Sequence, residues 1–386
     1  MRVLRIVTRP NVGGPMRQAI SLWRAHSSLG VETLLAVGRC GRGEARFDLG
    51  GCGIPVLAFA DALARGRRAS GIVEIPCLQR AWHPLRDSAA RRALSALIEA
   101  FRPDVVHTHT SKAGWLGRNA ARGRAVTAHT FHGHVLKDYF GRSVSRILTR
   151  IERRWAERTD LLFSVSESCR RELCELGVAD ASRIEVLPPA VDCSTALLSR
   201  QDARAELGID PGAFACVFAG RLVAVKRVAH FVRALGDGMI GDVFGDGPEG
   251  DLVQKQGIRR LATRADLPRL LPAYDALLLS SIREGFPLVA VEAFAAGVPV
   301  VGYRVPGVED ALSDGRGILV PEEQGPAGLR AALERLRRDA ELRESLVAKG
   351  RSALFRFDPK QIAARLLARY QSAGRSVFGY ACRDLG

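Results

Sequence analysis

The sequence predicts an α/β protein of two doubly wound domains, each a parallel sheet with helices on both faces. Three observations carry that prediction. The chain has 386 residues, and at roughly 100–200 residues per domain this points to two. Short apolar runs alternate with helical stretches from end to end, the pattern of sheets covered on both sides. Near the middle, Pro188 and Pro189 in VLPPAVDCS stiffen the chain and remove two backbone donors, which suits a linker. The expected domains are residues 1–190 and 191–358, with a helix and tail over 359–386 packing back toward the first domain.

The elements follow in order. In the first half VLRIVT, VETLLAV, IPVLAF, DVVHTHT, AVTAHTF, DLLFSVS and RIEVLP read as strands. Helices fall over 16–29, closed by Gly30, and over 88–101, capped by Asp87 and stopped before Pro103. In the second half AFACVFAG, GDVFGDG, DALLLSS, VPVVGY and GILVP are strands, and two helices over 326–349 and 359–373 close the chain.

Composition narrows the class. With 47% hydrophobic and 25% charged residues the chain is not disordered. No apolar run reaches the roughly 18 residues of a membrane-spanning helix. The opening MRVLRIVTRP carries Arg2, Arg5 and Arg9 and reads as a first buried strand, not a secretory signal, so the expected location is the cytoplasm. The eight cysteines form no C-x-x-C pair and read as buried thiols in a reducing compartment. Net charge is +16, and residues 1–192, with 30 basic and 18 acidic residues, hold most of the excess. An anionic partner of the first domain is expected: nucleic acid, phospholipid or a phosphorylated acceptor.

Two constellations carry chemistry. In EGFPLVAVEAFAAGVPVV, residues 284–301, Glu284 ends a loop, Pro287 suits the first helical position and Gly297 ends the helix. The loop leaves the carboxyl end of ALLLSS, where open α/β sheets bind ligands. The free N–H groups of Phe286 to Val289 and the helix dipole would attract an anion, and Gly285, Phe286, Pro287 and Leu288 line that helix start. Glu292 sits two turns in, between apolar neighbours, and needs a partner. In AGRLVAVKR, residues 219–227, Gly220 follows a strand directly, and Arg221 and Lys226 lie five apart. Such a pair can clamp a diphosphate, arginine by its fork and lysine as a point charge. A carboxylate in the same cleft would suit ribose hydroxyls.

The pattern Glu-x7-Glu with GFP after the first Glu, preceded by GRL…K, resembles the retaining glycosyltransferases of family 4, which have the GT-B fold: two Rossmann-like domains facing across a cleft. FGDGP at 244–248, VHTHTSKAGWLGRNAA at 106–121 and AHTFHGHV at 128–135 extend the resemblance over nearly the whole chain, toward the branch that builds bacterial surface glycans. It implies a hexosyltransferase that moves a sugar from a UDP- or GDP-linked donor to a polysaccharide or polyprenyl-diphosphate-linked acceptor. It also implies roles. Arg221 and Lys226 hold the diphosphate, Glu284 faces the donor sugar, and Glu292 the ribose. Gly14, Gly220 and Gly245 let backbone approach the phosphates, and His132 sits beside the reacting sugar. No cofactor or metal is implied, and no D-x-D triplet occurs.

Five of the eight histidines, His107, His109, His129, His132 and His134, fall within 28 residues. The alternation HTHT turns His107 and His109 to one face, and no nearby carboxylate completes a metal-ligand set. His26 and His230 read as helix-surface or core residues. The basic helix at 142–160 carries Ile147, Leu148, Ile151 and Trp155 on one side. It either lies on an anionic membrane, making the protein peripheral on its inner face, or packs on the sheet. The chain departs from the family at 248–275, where the strand and loop for the nucleotide base are hard to recognise. The helix after Lys226 is short, and PPAVD replaces Pro-Asn-Gly-Val-Asp at the hinge. Rival readings are a sugar-nucleotide epimerase or phosphorylase of the same fold, and a non-catalytic nucleic-acid-binding protein. Aromatic residues at 6%, mostly within strands, disfavour the last.

Overall fold

A computed structural model describes residues 1–41, 44–133, 136, 141–255 and 258–378. The chain divides into two compact units, the first made of residues up to Ala190 together with the segment from Pro359, the second of Val191–Asp358.

The first unit contains β1 (Arg2–Val7), α1 (Gly14–Ser28), β2 (Glu32–Val37), β3 (Val56–Leu57), α2 (Phe59–Arg65), β4 (Gly71–Glu74) and α3 (Pro84–Phe101). It continues with β5 (Val105–His109), α4 (Ser111–Ala121), β6 (Val126–Phe131), α5 (Arg142–Glu157), β7 (Leu161–Ser164), α6 (Glu167–Glu175) and β8 (Ile184–Val186). All eight strands are parallel, in the order β3-β4-β2-β1-β5-β6-β7-β8. Burial on both faces explains their near-continuous apolar character. Helix α4 packs unusually close to this sheet. A Cβ on Gly114 would lie 2.6 Å from the His129 ring, and one on Gly117 2.6 Å from Thr108.

The second unit holds α7 (Arg200–Leu207), β9 (Phe214–Ala219), α8 (Val228–Ala234), β10 (Met239–Phe244), α9 (Gly250–Lys255), β11 (Arg259–Leu261), α10 (Leu267–Leu270) and β12 (Ala276–Leu279). Then come α11 (Leu288–Ala296), β13 (Val300–Tyr303), α12 (Val308–Leu312), β14 (Ile318–Val320), α13 (Gly325–Arg338) and α14 (Ala340–Ser352). Its parallel sheet runs β11-β10-β9-β12-β13-β14. The last helix, α15 (Pro359–Phe378), belongs to the first unit, where Ile362, Ala363, Leu366 and Tyr370 are buried with Val3, Leu22 and Phe163.

Several boundaries differ from expectation. β4 and β11 are four and three residues long, too short to show a pattern; pairing with β2 and β10 makes them strands. Helix α3 starts at Pro84, not 88: the His83 ring caps it, and Asp87 accepts from the His83 amide from within the first turn. The stretch 326–349 is two helices, because Asp339 caps a new one through the Leu342 amide at 2.8 Å. Pro287 is the cap of α11, not its first residue. The cysteines are not uniformly buried: Cys52, Cys169 and Cys216 are, while Cys193 is exposed. Of the apolar side expected on helix α5, Leu148 is packed and Ile147 is not. Leu148 packs against the cluster of Phe131, Leu162 and Leu173, and Glu152 pairs with Arg118 at 2.6 Å; Val144 and Ile147 stay exposed. Among the described residues no helix is long and apolar enough to cross a membrane.

Candidate active site

In the second unit the chain runs outward in one direction from β9 to β10 and β11, then in the other from β12 to β14. Loops at such a reversal point, on the carboxyl ends of the strands, form the usual ligand crevice of open α/β sheets. The two sequence constellations fall on these loops, after β9 and after β12.

The structure sews the loops together. A short 3-10 turn, Ala224–Lys226, follows β9 and ends at Arg227, whose φ of 47° is unusual for a side-chain-bearing residue. The Ser280 hydroxyl lies 3.0 Å from the carbonyl oxygens of both Lys226 and Arg227, and the Ile282 amide donates to Val225 O at 2.9 Å. The Arg227 guanidinium pairs with Glu322 at 2.8 Å. These bonds hold the strained turn and aim Lys226 at the second loop, where its ammonium donates to Glu284 Oε1. Ser281 donates to the same oxygen at 2.6 Å. Lys226 and Glu284 are both largely buried, so their attraction is only weakly screened.

Glycines bring backbone close. A Cβ on Gly245 would lie 1.9 Å from Gly220 O, and one on Gly247 2.3 Å from Leu222 O, so the FGDGP loop lies flat on the GRL loop. Gly307, at φ +79°, lets the start of α12 press on the Glu284 loop, where a Cβ would meet Glu284 O at 2.3 Å. No side chain caps the nine-residue helix α11. In its first turn the Ala290 amide donates to Pro287 O at 3.0 Å, and the helix starts beside the same loops, where its dipole favours an anion. The Phe286 and Phe357 rings lie 5.4 Å apart, tilted at 52°, and Glu292 is buried on α11 at 4% exposure. Arg221 is exposed and makes no ion pair with the described residues. Ser280, Ser281, Arg227 and Gly307 were not singled out from the sequence. Their only sequence mark is adjacency to a strand end or a helix start.

Gly14 and His132 belong to the first unit. Gly14 opens α1 after β1, and His132 follows β6; His134 lies outside the described residues. Directly after β5, Thr110 adopts φ 70°, ψ 153°, a region nearly reserved for glycine. Its hydroxyl meets that of Thr8 at 2.6 Å, and its carbonyl accepts from Gly114 at 2.8 Å.

Beneath this loop lies a buried arginine. Arg5 on β1 is fully buried, and its four terminal N–H groups are each matched. Nη1 reaches His107 Nδ1 and His109 Nε2, both at 3.3 Å; Nη2 reaches His26 Nδ1 at 3.1 Å and Tyr370 Oη at 3.4 Å. The fifth donor, Nε, has no partner. His107 also contacts Tyr370 Oη at 2.5 Å and Thr130 Oγ1 at 2.7 Å. As HTHT alternation predicts, the His107 and His109 rings share a face, stacked at 4.5 Å. Burial first, and then the nearby guanidinium and imidazoles, hold His107 and His109 well below the ordinary histidine range. His26 is pushed down to about 3 by burial and by Arg5. Burial and Arg118 lower His129, and burial brings His132 to about 3. Among the described residues no group of three histidine, cysteine or acidic side chains is arranged to hold a metal. His26 is a core residue; His230 is partly exposed and bonds to Tyr303 Oη at 2.9 Å. Arg5 was read only as an interruption of an apolar run, and its inward side on β1 was the missed signal.

Two parallel sheets with a basic and acidic pair at a reversal point define a Rossmann-like, two-unit protein of GT-B type. Residues 12–195 match the model of Glycosyltransferase Family 4, and residues 213–339 match that of Glycosyl transferases group 1. The chain is 31% identical over 314 residues to a D-inositol 3-phosphate glycosyltransferase of Segniliparus rotundus, covering 72% of this chain and 68% of that protein. It is 29% identical over 259 residues to UDP-Gal:alpha-D-GlcNAc-diphosphoundecaprenol alpha-1,3-galactosyltransferase of Escherichia coli, covering 60% and 66%. Matches to two further D-inositol 3-phosphate glycosyltransferases, of Mycobacterium sp. (strain KMS) and Mycobacterium marinum, span about half of their length. The fold is shared with sucrose-phosphate synthase of Thermosynechococcus elongatus (TM-score 0.80, 17% identity, 97% of this chain and 100% of that). It is also shared with HepE of Anabaena (TM-score 0.75, 17% identity, 96% and 100%). The chain belongs to glycosyltransferase family 4.

Proposed function

We propose that the protein is a retaining, metal-independent glycosyltransferase that moves a hexose from a UDP- or GDP-linked donor to a lipid-linked or polysaccharide acceptor in cell-surface glycan synthesis. The observation that carries this reading is the Lys226–Glu284–Ser281 group at the reversal point of the second unit. Breaking the bond from the sugar's anomeric carbon to the diphosphate gathers negative charge on the leaving group. Lys226 exchanges Glu284 for a phosphate oxygen, the exposed Arg221 adds its fork, and the α11 amides add their dipole, so the charge is met by preorganised donors. Glu284, released, accepts from donor-sugar hydroxyls. The acceptor hydroxyl attacks on the face that the diphosphate leaves, and the departing phosphate oxygen takes its proton, so configuration is retained without an enzyme nucleophile. The Escherichia coli relative's name, with a UDP-sugar donor and a diphosphoundecaprenol-linked acceptor, supports the lipid-linked reading. The exposed Val144 and Ile147 on the arginine-rich α5 support attachment to an anionic membrane face from the cytoplasm.

The test is incubation of the full chain with UDP- and GDP-sugars, with and without a polyprenyl-diphosphate-linked sugar, in EDTA. Transfer with retained configuration is expected. Sugar conversion without acceptor would instead make it an epimerase, and activity only with added divalent metal would remove the metal-independent mechanism.

A further inference from the structure

Arg5 does not reach the surface, yet the bond network carries its influence there. A guanidinium is a donor only. The nitrogen it faces on His109, Nε2 at 3.3 Å, therefore accepts and carries no proton. Buried beside a fixed positive charge, the His109 ring is neutral, and its one proton sits on Nδ1. That nitrogen lies 2.9 Å from His132 Nε2, so it donates and His132 Nε2 accepts. The His132 proton is thereby placed on Nδ1. This last nitrogen has no hydrogen-bond partner among the described residues, and His132 is only partly buried.

We propose that Arg5, acting through His109, fixes the tautomer of His132, so that His132 serves the reaction as a neutral hydrogen-bond donor through Nδ1 and not as a proton acceptor. His132 is the catalytic residue, and Arg5 and His109 are positioning residues. The inference rests on the glycosyl-transfer reading for what Nδ1–H meets: an oxygen of the donor sugar or of the departing phosphate, each an acceptor. It also fits the proposed retention, in which the leaving phosphate, not a histidine, takes the acceptor's proton. The strain at Thr110, next in sequence to His109, falls at the same place and fixes the end of β5 that carries that ring.

The experiment is imidazole nitrogen-15 NMR of the full chain, labelled at histidine, at pH 7.5, with His132 assigned by its loss in His132→Gln. The expected spectrum shows His132 neutral, protonated at Nδ1 and bare at Nε2. In His109→Leu the Nε2 acceptor is released and the proton redistributes between the nitrogens. His109→Asn, whose amide can still donate toward Nε2, restores the original pattern. Turnover in His109→Leu is expected to fall about tenfold, the cost of one misplaced hydrogen bond. A wild-type spectrum with His132 protonated at Nε2, or at both nitrogens, overturns the proposal whether or not the variants fold. The expected tautomer in a protein that transfers no sugar would instead sink the glycosyl-transfer reading and leave the relay standing.

Discussion

Mild acid should unfold the first unit. His26, His107, His109 and His129 are at most 1% exposed. All four are depressed in the folded state, His26 to about 3. The charges facing them are positive or imidazole: Arg5 for His26, His107 and His109, Arg118 for His129, and the rings for one another. Arg118 itself is paired with Glu152. In the unfolded chain each ring titrates near 6.5, so below that pH the unfolded state binds protons that the folded state refuses. Stability is thus full above about pH 6.5 and is lost as pH falls through it. Between pH 7.5 and 5.5 the four rings together cost about 5 kcal/mol. Total stabilities are of order 5–15 kcal/mol. Carboxylates titrate mostly below this window. The four tryptophans, Trp23, Trp82, Trp115 and Trp155, all lie in the first unit, so their fluorescence in urea reports on it alone. A midpoint that falls steeply between these pH values is expected. Unfolding free energies within about 1 kcal/mol of each other would show that the buried rings are charged or rearranged, and would refute the reasoning.

Lys226→Ala should lower turnover about 100- to 1,000-fold, as for loss of a donor to the developing charge. It should cost only about 1–3 kcal/mol of stability for stranding Glu284 with Ser281 alone; steady-state kinetics and thermal melts separate the two. Tyr370→Phe removes the acceptor for an Arg5 N–H in a dry site and should destabilise the first unit by about 1–3 kcal/mol in tryptophan-monitored urea unfolding. Gly307→Ala puts a Cβ at φ +79° against Glu284 O; it should cost about 1–3 kcal/mol and weaken nucleotide-sugar binding by calorimetry, because the Glu284 loop must move. A nucleotide sugar at 100 times its dissociation constant should stabilise the fold by about 2.7 kcal/mol, seen as a raised melting temperature that is lost in Lys226→Ala.

The paired chemistry of the second unit was legible because it is local. Gly220, Lys226 and Glu284 sit at strand ends that short apolar runs mark, and Gly297 stops α11 at the expected residue with φ 72°. Ser280 and Gly307 escaped notice because their roles, bonding the Lys226 turn and pressing on Glu284, exist only once β12 lies between β9 and β13. The strand β11 was missed for the same reason, since it exists by pairing, whereas Asp339 splits one apolar stripe by a local cap that the stripe masked.

Periodicity, glycine punctuation and charged residues at strand ends, all properties of neighbours in sequence, determined the two parallel sheets and the loops after β9 and β12. What Arg5 does was settled in three dimensions. Its partners come from α1, β5 and α15, up to 365 positions away, and a buried guanidinium is stable only where acceptors converge on it. Sequence can show an arginine inside an apolar strand, but which rings it forces to stay neutral follows from packing alone.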